Sequence, residues 1–237
     1  MKKLSELPVP LGAGAGTTAF VYPADQSGAT LILAHGAGAG QRSPFMVDFA
    51  TAISALGIDV VTFNFLYTEQ GRRLPDRGPA LEACYRNVIE VVREHVESAR
   101  AHLFIGGKSM GGRIATQVAA ADPELRIAGL VLLGYPLHPP GRPDKRRDAH
   151  LPAVARPMLF AQGSRDTFGT PAELAPVMQS LIPEPALYVV EAGDHSFKLS
   201  RKDPAAQLAI YERVQETIAK WIGVVIGTSA RDRLHSA

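Results

Sequence analysis

Short apolar runs alternate along this chain with longer segments of helical spacing, and that alternation leaves few architectures open. The runs fall at "TAFVYP" (18–23), "TLILAHG" (30–36), "IDVVTFNF" (58–65), "HLFIGG" (102–107), "GLVLLGYP" (129–136), "PMLFAQG" (157–163) and "ALYVVEAG" (186–193). Several are apolar almost throughout, as strands covered on both faces should be. Between them, residues 44–56, 79–100, 111–121, 171–181 and 204–222 have helical spacing. Leu81, Cys84, Tyr85, Val88, Val92 and Val96 form one apolar stripe, and Leu208, Tyr211, Val214, Ile218 and Trp221 form another. Strands alternating with helices of this length predict an α/β fold, a mostly parallel central sheet with helices on both faces. Cys84, lying in a buried stripe, is expected to be a structural, inert thiol.

The segment 137–156, "LHPPGRPDKRRDAHLPAVAR", rich in proline and basic residues, is the one that breaks this rhythm. No linker of domain-separating length interrupts the pattern, so residues 1–226 are expected to form one domain. The tail 227–237, "GTSARDRLHSA", lacks apolar spacing and is expected to be disordered. The 25 Lys plus Arg against 23 Asp plus Glu leave a field too weak to argue for nucleic acid. The single cysteine excludes an intrachain disulfide and a multi-cysteine zinc site. The start "MKKLSELPVP" has no apolar run after its lysines, and no stretch reaches the length of a membrane span. These features predict a soluble, cytoplasmic protein that engages neither membrane nor nucleic acid.

In an open parallel sheet, functional groups collect in the loops at the carboxyl ends of the strands. His35, Ser109, Asp166 and His195 each follow one of the predicted strands, so all four fall at that edge. Gly107-Lys108-Ser109-Met110-Gly111 fits G-x-S-x-G between a strand and a helix, where small neighbours let a strained turn project the serine clear of the sheet. A serine hydroxyl needs a base, and the base needs an orienting acid. His195 in "AGDHSF" and Asp166 in "GSRDTFG" are the candidates, in the chain order Ser, Asp, His. Asp194 and Glu191 are competing acids, disfavoured because they lie beside the base rather than after the preceding strand. The backbone amides of Met110 and Ala37 are the candidate donors to an oxyanion, with His35 expected to support the Ala37 loop by hydrogen bonding rather than to react.

The set HGAGAG, GKSMGGR, SRDTFG and GDHSF resembles the α/β-hydrolase superfamily over essentially the whole chain. More narrowly, "NFLYTEQGRRLPD" and "GYPLHPPGRPDKRRDAHL" resemble the testis-expressed and NSL-complex-subunit hydrolase-like proteins and their bacterial dienelactone-hydrolase-like relatives. True dienelactone hydrolases use cysteine where this chain has Ser109. The resemblance implies an α/β-hydrolase fold and a Ser109–His195–Asp166 triad cleaving a small carboxylic ester or thioester through an acyl-enzyme, with no cofactor or metal. A scaffold protein on the same fold and a hydrolase-fold acyltransferase are the competing readings. With only 137–156 available as an insert, the lid is expected to be minimal or absent and the site open and shallow. Arg72 and Arg73 are candidate substrate-binding residues, with Arg142, Lys145, Arg146, Arg147 and His150 of the insert as further positive groups.

Overall fold

The computed structural model describes residues 3–12, 14–200 and 203–235. Its strands are β1 (Ser5–Gly12), β2 (Ala15–Tyr22), β3 (Thr30–Ala34), β4 (Asp59–Phe63), β5 (Leu103–Lys108), β6 (Gly129–Leu133), β7 (Met158–Gly163) and β8 (Ala186–Val190). They form a single eight-stranded sheet in the order β1-β2-β4-β3-β5-β6-β7-β8. β1 and β2 pair antiparallel, as do β2 and β4, and every pair from β4 through β3 to β8 is parallel. The helices are α1 (Pro44–Ala55), α2 (Leu66–Glu69), α3 (Gly78–His95), α4 (Glu97–Ala101), α5 (Met110–Ala121), α6 (Pro171–Met178) and α7 (Pro204–His235).

The apolar strands feed two cores because successive side chains point to opposite faces. In β3, Leu31 and Leu33 pack with Met46, Phe49 and Ile53 of α1 and Val214 and Ile218 of α7. Ile32 and Ala34 face the other way, toward α3, α5 and α6. β6 repeats the division, with Val131 and Leu133 on the first side and Leu130 and Leu132 on the second. Each such side chain, fully buried, stabilises the fold by about 1.5–3 kcal/mol relative to exposure. The predicted continuous runs therefore correspond to strands covered on both faces.

Three elements depart from the sequence expectation. β1 was not anticipated, since Pro8 and Pro10 interrupt its pattern; it lies at the sheet edge, where a missing N–H costs no ladder bond, and its register shifts between Pro10 and Gly12. The helix expected over 79–100 divides at Val96, which is extended at φ −106° and ψ 113°. There the Ser98 hydroxyl bonds Asp59 Oδ2 (2.5 Å) and Thr30 Oγ1 (2.6 Å), fixing α4 to the starts of β4 and β3. The expected disordered tail is helical as far as His235, with residues 236 and 237 outside the described residues.

The 137–156 segment contains only a short 3₁₀ turn, Leu151–Ala153, and buries Leu137, Leu151 and Val154 against the core. It is a strap rather than a lid. Among the described residues, no helix is long and apolar enough to cross a membrane.

Candidate active site

β3 and β5 are neighbours, and the chain leaves β3 toward β4 but β5 toward β6, so the two connections part in opposite directions and open a crevice at the carboxyl ends of β3 and β5. The loop beginning at His35 forms one lip and Ser109 the other. Ser109 stands between β5 and α5 at φ 51° and ψ −114°. A non-glycine residue in that region is strained by about 1–3 kcal/mol and persists only where its surroundings hold it. Here Ser109 N–H donates to Leu133 O (2.9 Å) and Ser109 O accepts from Arg113 N–H (3.1 Å). Gly107 and Gly111 are required by close approach: a Cβ on either would collide with Ala34 O. The turn therefore needs both glycines, and Ser109 makes no side-chain cap to its own helix.

Ser109 Oγ lies 2.8 Å from His195 Nε2, and His195 Nδ1 lies 2.8 and 3.0 Å from Asp166 Oδ2 and Oδ1. A proton on Nδ1 donates to the carboxylate, leaving Nε2 to accept the serine proton. The expected residues thus form one hydrogen-bonded chain, and its orientation is supported from behind. Asp166 is 1% exposed; Gln162 Nε2 donates to its Oδ2 (2.8 Å) and Phe168 N–H to its Oδ1 (2.8 Å). Phe168 also stacks on His195, with ring centroids 4.1 Å apart. Asp194 turns away from the imidazole: its Oδ1 accepts from Ser196 N–H (2.7 Å) and Lys198 N–H (2.9 Å) and shapes the loop.

Lys108, only 8% exposed, extends under this loop and donates to His195 O at 2.5 Å. Burial lowers its pKa to about 8, against the opposing pull of Asp166 and Asp194. His35 is fully buried: Nδ1 donates to Gly36 O (2.8 Å) and Nε2 accepts from Phe65 N–H (3.1 Å). Burial also lowers its pKa, with the Gly36 bond opposing. It supports the loop, as the sequence led us to expect. Cys84 is likewise buried, its thiol pushed up to about 12 chiefly by desolvation.

Ser109 and His195 open into a cleft of about 1060 Å³. Ala37 and Met110 line it, with Met110 at the first position of α5, where N–H groups have no intrahelical acceptor. Phe45, Met46, Leu81, Phe168, Leu208 and Tyr211 give it apolar walls. This corrects the expectation of a shallow site: the starts of α1, α3 and α7 build walls that a lid would otherwise supply. Arg72 and Arg73 are not among the lining residues, and Arg72 instead pairs with Asp76 at 2.6 Å. Of the insert's basic residues, Arg147 lines the cleft, joined by Arg113 of α5. Gln162, Phe168 and Arg113 escaped the sequence reading. For Gln162 a signal existed, a polar residue near the end of an otherwise apolar strand.

A family model described as an alpha/beta hydrolase domain matches residues 27–223, and the chain belongs to that family. Among similar solved structures is a dienelactone hydrolase from Anabaena variabilis, 21% identical with a TM-score of 0.70, the match covering 90% of this chain and 95% of that one. A lidless serine hydrolase from Xanthomonas campestris is also 21% identical, with a TM-score of 0.70 and coverage of 93% and 96%. A serine hydrolase homologue from Coxiella burnetii is 17% identical, with a TM-score of 0.71 and coverage of 91% and 96%. At these identities the likeness establishes the fold, an α/β-hydrolase fold.

Proposed function

We propose that the protein is a serine hydrolase cleaving a carboxylic ester or thioester of small-molecule size through an acyl-enzyme. The observation that carries this reading is the chain from Ser109 Oγ through His195 to Asp166, with contacts of 2.8 Å at both links, opening into the cleft. Ser109 Oγ attacks the substrate carbonyl while its proton passes to His195 Nε2. Asp166 holds the imidazole in the accepting tautomer and stabilises the imidazolium that forms. Charge developing on the carbonyl oxygen is met by the N–H groups of Met110 and Ala37, the first with the α5 dipole behind it. The imidazolium gives its proton to the leaving alcohol or thiol. Water, deprotonated by the same imidazole, then attacks the acyl carbonyl, and the imidazolium returns that proton to Ser109 Oγ as the C–O bond to the enzyme breaks and the acid is released.

These steps are complete without a cofactor or metal. Competence of the three side chains also favours an enzyme over a scaffold, which has no use for a strained serine held against a base. The test is labelling by a fluorophosphonate probe, which reports an activated serine without knowledge of the substrate. Labelling should map to Ser109, and Ser109→Ala should lose it together with about a million-fold in turnover of p-nitrophenyl acetate. An unlabelled wild-type protein, or a Ser109→Ala variant that still turns over, refutes the reading.

A further inference from the structure

One wall of the cleft carries charge that the reaction above does not use. Arg113 lies one helical turn beyond Ser109 on α5, and Arg147 reaches the same cleft from the 137–156 strap. The strap is pinned at that point: Arg147 N–H donates to Leu137 O (2.9 Å), and Tyr135 Oη donates to Arg147 O (2.7 Å). Arg113 Nε is buried with no hydrogen-bond partner, and its guanidinium makes only a long 3.4 Å bond to Gln117. Neither arginine has a carboxylate partner among the described residues. The nearby acids are committed elsewhere: Asp76 to Arg72 (2.6 Å), Glu82 to Arg86 (3.2 Å) and Asp148 to Arg146 (2.6 Å). His150, a further titratable group on this side, bonds Thr116 Oγ1 at 2.7 Å.

A buried guanidinium N–H without an acceptor is costly, and a second guanidinium nearby adds repulsion. Burial, and after it Arg147, lowers the Arg113 pKa, in keeping with both effects. An oxyanion in the cleft would offset the repulsion between the two guanidinium groups, since the planar fork of arginine matches carboxylate and phosphate oxygens. We propose that Arg113 and Arg147 form an anion subsite, so that the substrate is an ester or thioester bearing a carboxylate or phosphate group on one side of the scissile bond. Docking that group would hold the carbonyl over Ser109, using binding energy remote from the reacting atoms to orient them. This rests on the hydrolase reading and specifies its substrate class.

The experiment compares p-nitrophenyl esters sharing a pentamethylene spacer and ending in methyl, carboxylate or phosphonate. A parallel series puts the same termini on the alcohol of an acetate ester and reads acetate release. We expect kcat/KM in at least one series to favour an anionic terminus over methyl by about tenfold, equivalent to about 1.4 kcal/mol. The favoured terminus distinguishes a carboxylate from a phosphate. In Arg113→Met and in Arg147→Met the ratio of anionic to methyl kcat/KM should fall toward one, with folding checked by circular dichroism and either variant sufficient if the other fails to fold. Ratios near one in both wild-type series, or a preference that survives these substitutions, overturn the subsite. Absence of Ser109-dependent turnover of every ester is a different result, and it overturns the hydrolase reading instead.

Discussion

At the scale of single residues, two aspartates near one histidine have separate work. Asp166 faces the imidazole, while Asp194 binds the backbone of the loop that carries it. Asp166→Asn should lower turnover about ten-thousand-fold by favouring the wrong imidazole tautomer. Asp194→Asn should cost far less turnover and appear mainly as a lower melting temperature. Steady-state kinetics and thermal melts of both variants check this, and the reverse ranking would make Asp194 the acid. Ser109, Asp166 and His195 were legible in the sequence because each immediately follows a strand or lies in the loop after one. Gln162, Arg113 and the Lys108 bond to His195 O were not, because their roles depend on partners that only the tertiary fold brings near. A motif reports a local backbone shape, whereas an orienting hydrogen bond between distant residues leaves no spacing to read.

At the scale of elements, the sharpest dependence is that of β5 on α3. The Tyr85 hydroxyl, fully buried, donates to Gly106 O (2.7 Å) and accepts from Gly106 N–H (3.0 Å), just before the turn that presents Ser109. Desolvation raises its pKa, so it stays neutral throughout the physiological range. Tyr85→Phe preserves the ring but removes both bonds, and unsatisfied buried groups of this kind cost about 1–3 kcal/mol. A urea midpoint unchanged by the substitution would show that the hydroxyl contributes no net stability. The stripe containing Tyr85 was readable from its helical period, whereas the hydroxyl's target was not. The same contrast explains β1: period-two alternation broken by Pro8 and Pro10 gives no strand signal, yet pairing with β2 at the sheet edge suffices to extend it. Conversely, the runs that became β3, β4, β5, β6 and β7 were plain because strands buried on both faces admit few polar residues.

Across the whole molecule, stability and specificity both follow from what the helices enclose beside Ser109. The Lys108 pKa near 8 lies below its ordinary 10.5, so between those values the unfolded chain binds more protons than the folded one. Global stability should therefore rise with pH across that window, with no pH dependence from this group below about 8, where both states are charged and the folded one carries the full cost of the buried ammonium. Urea unfolding at pH 7 and pH 10 should show a gain in wild type, relative to Lys108→Met, on the order of 1 kcal/mol. An identical pH response in the two proteins would mean that the ammonium is not desolvated. The same enclosure sets the response to acyl length. Although the fold is nearly lidless, Phe45, Met46, Leu81 and Leu208 line an apolar cleft of about 1060 Å³. A methylene fully buried there contributes about 0.8 kcal/mol, close to fourfold in binding. In a p-nitrophenyl ester series, kcat/KM should rise from acetyl to hexanoyl, by up to about fourfold per methylene where burial is complete. Leu208, 55% exposed and lining the cleft, is the discriminating position. Leu208→Asp should flatten the rise while affecting the acetyl ester least, because only a longer chain reaches across that wall. A wild-type optimum at acetyl would mean that the acyl chain points away from the apolar walls into solvent.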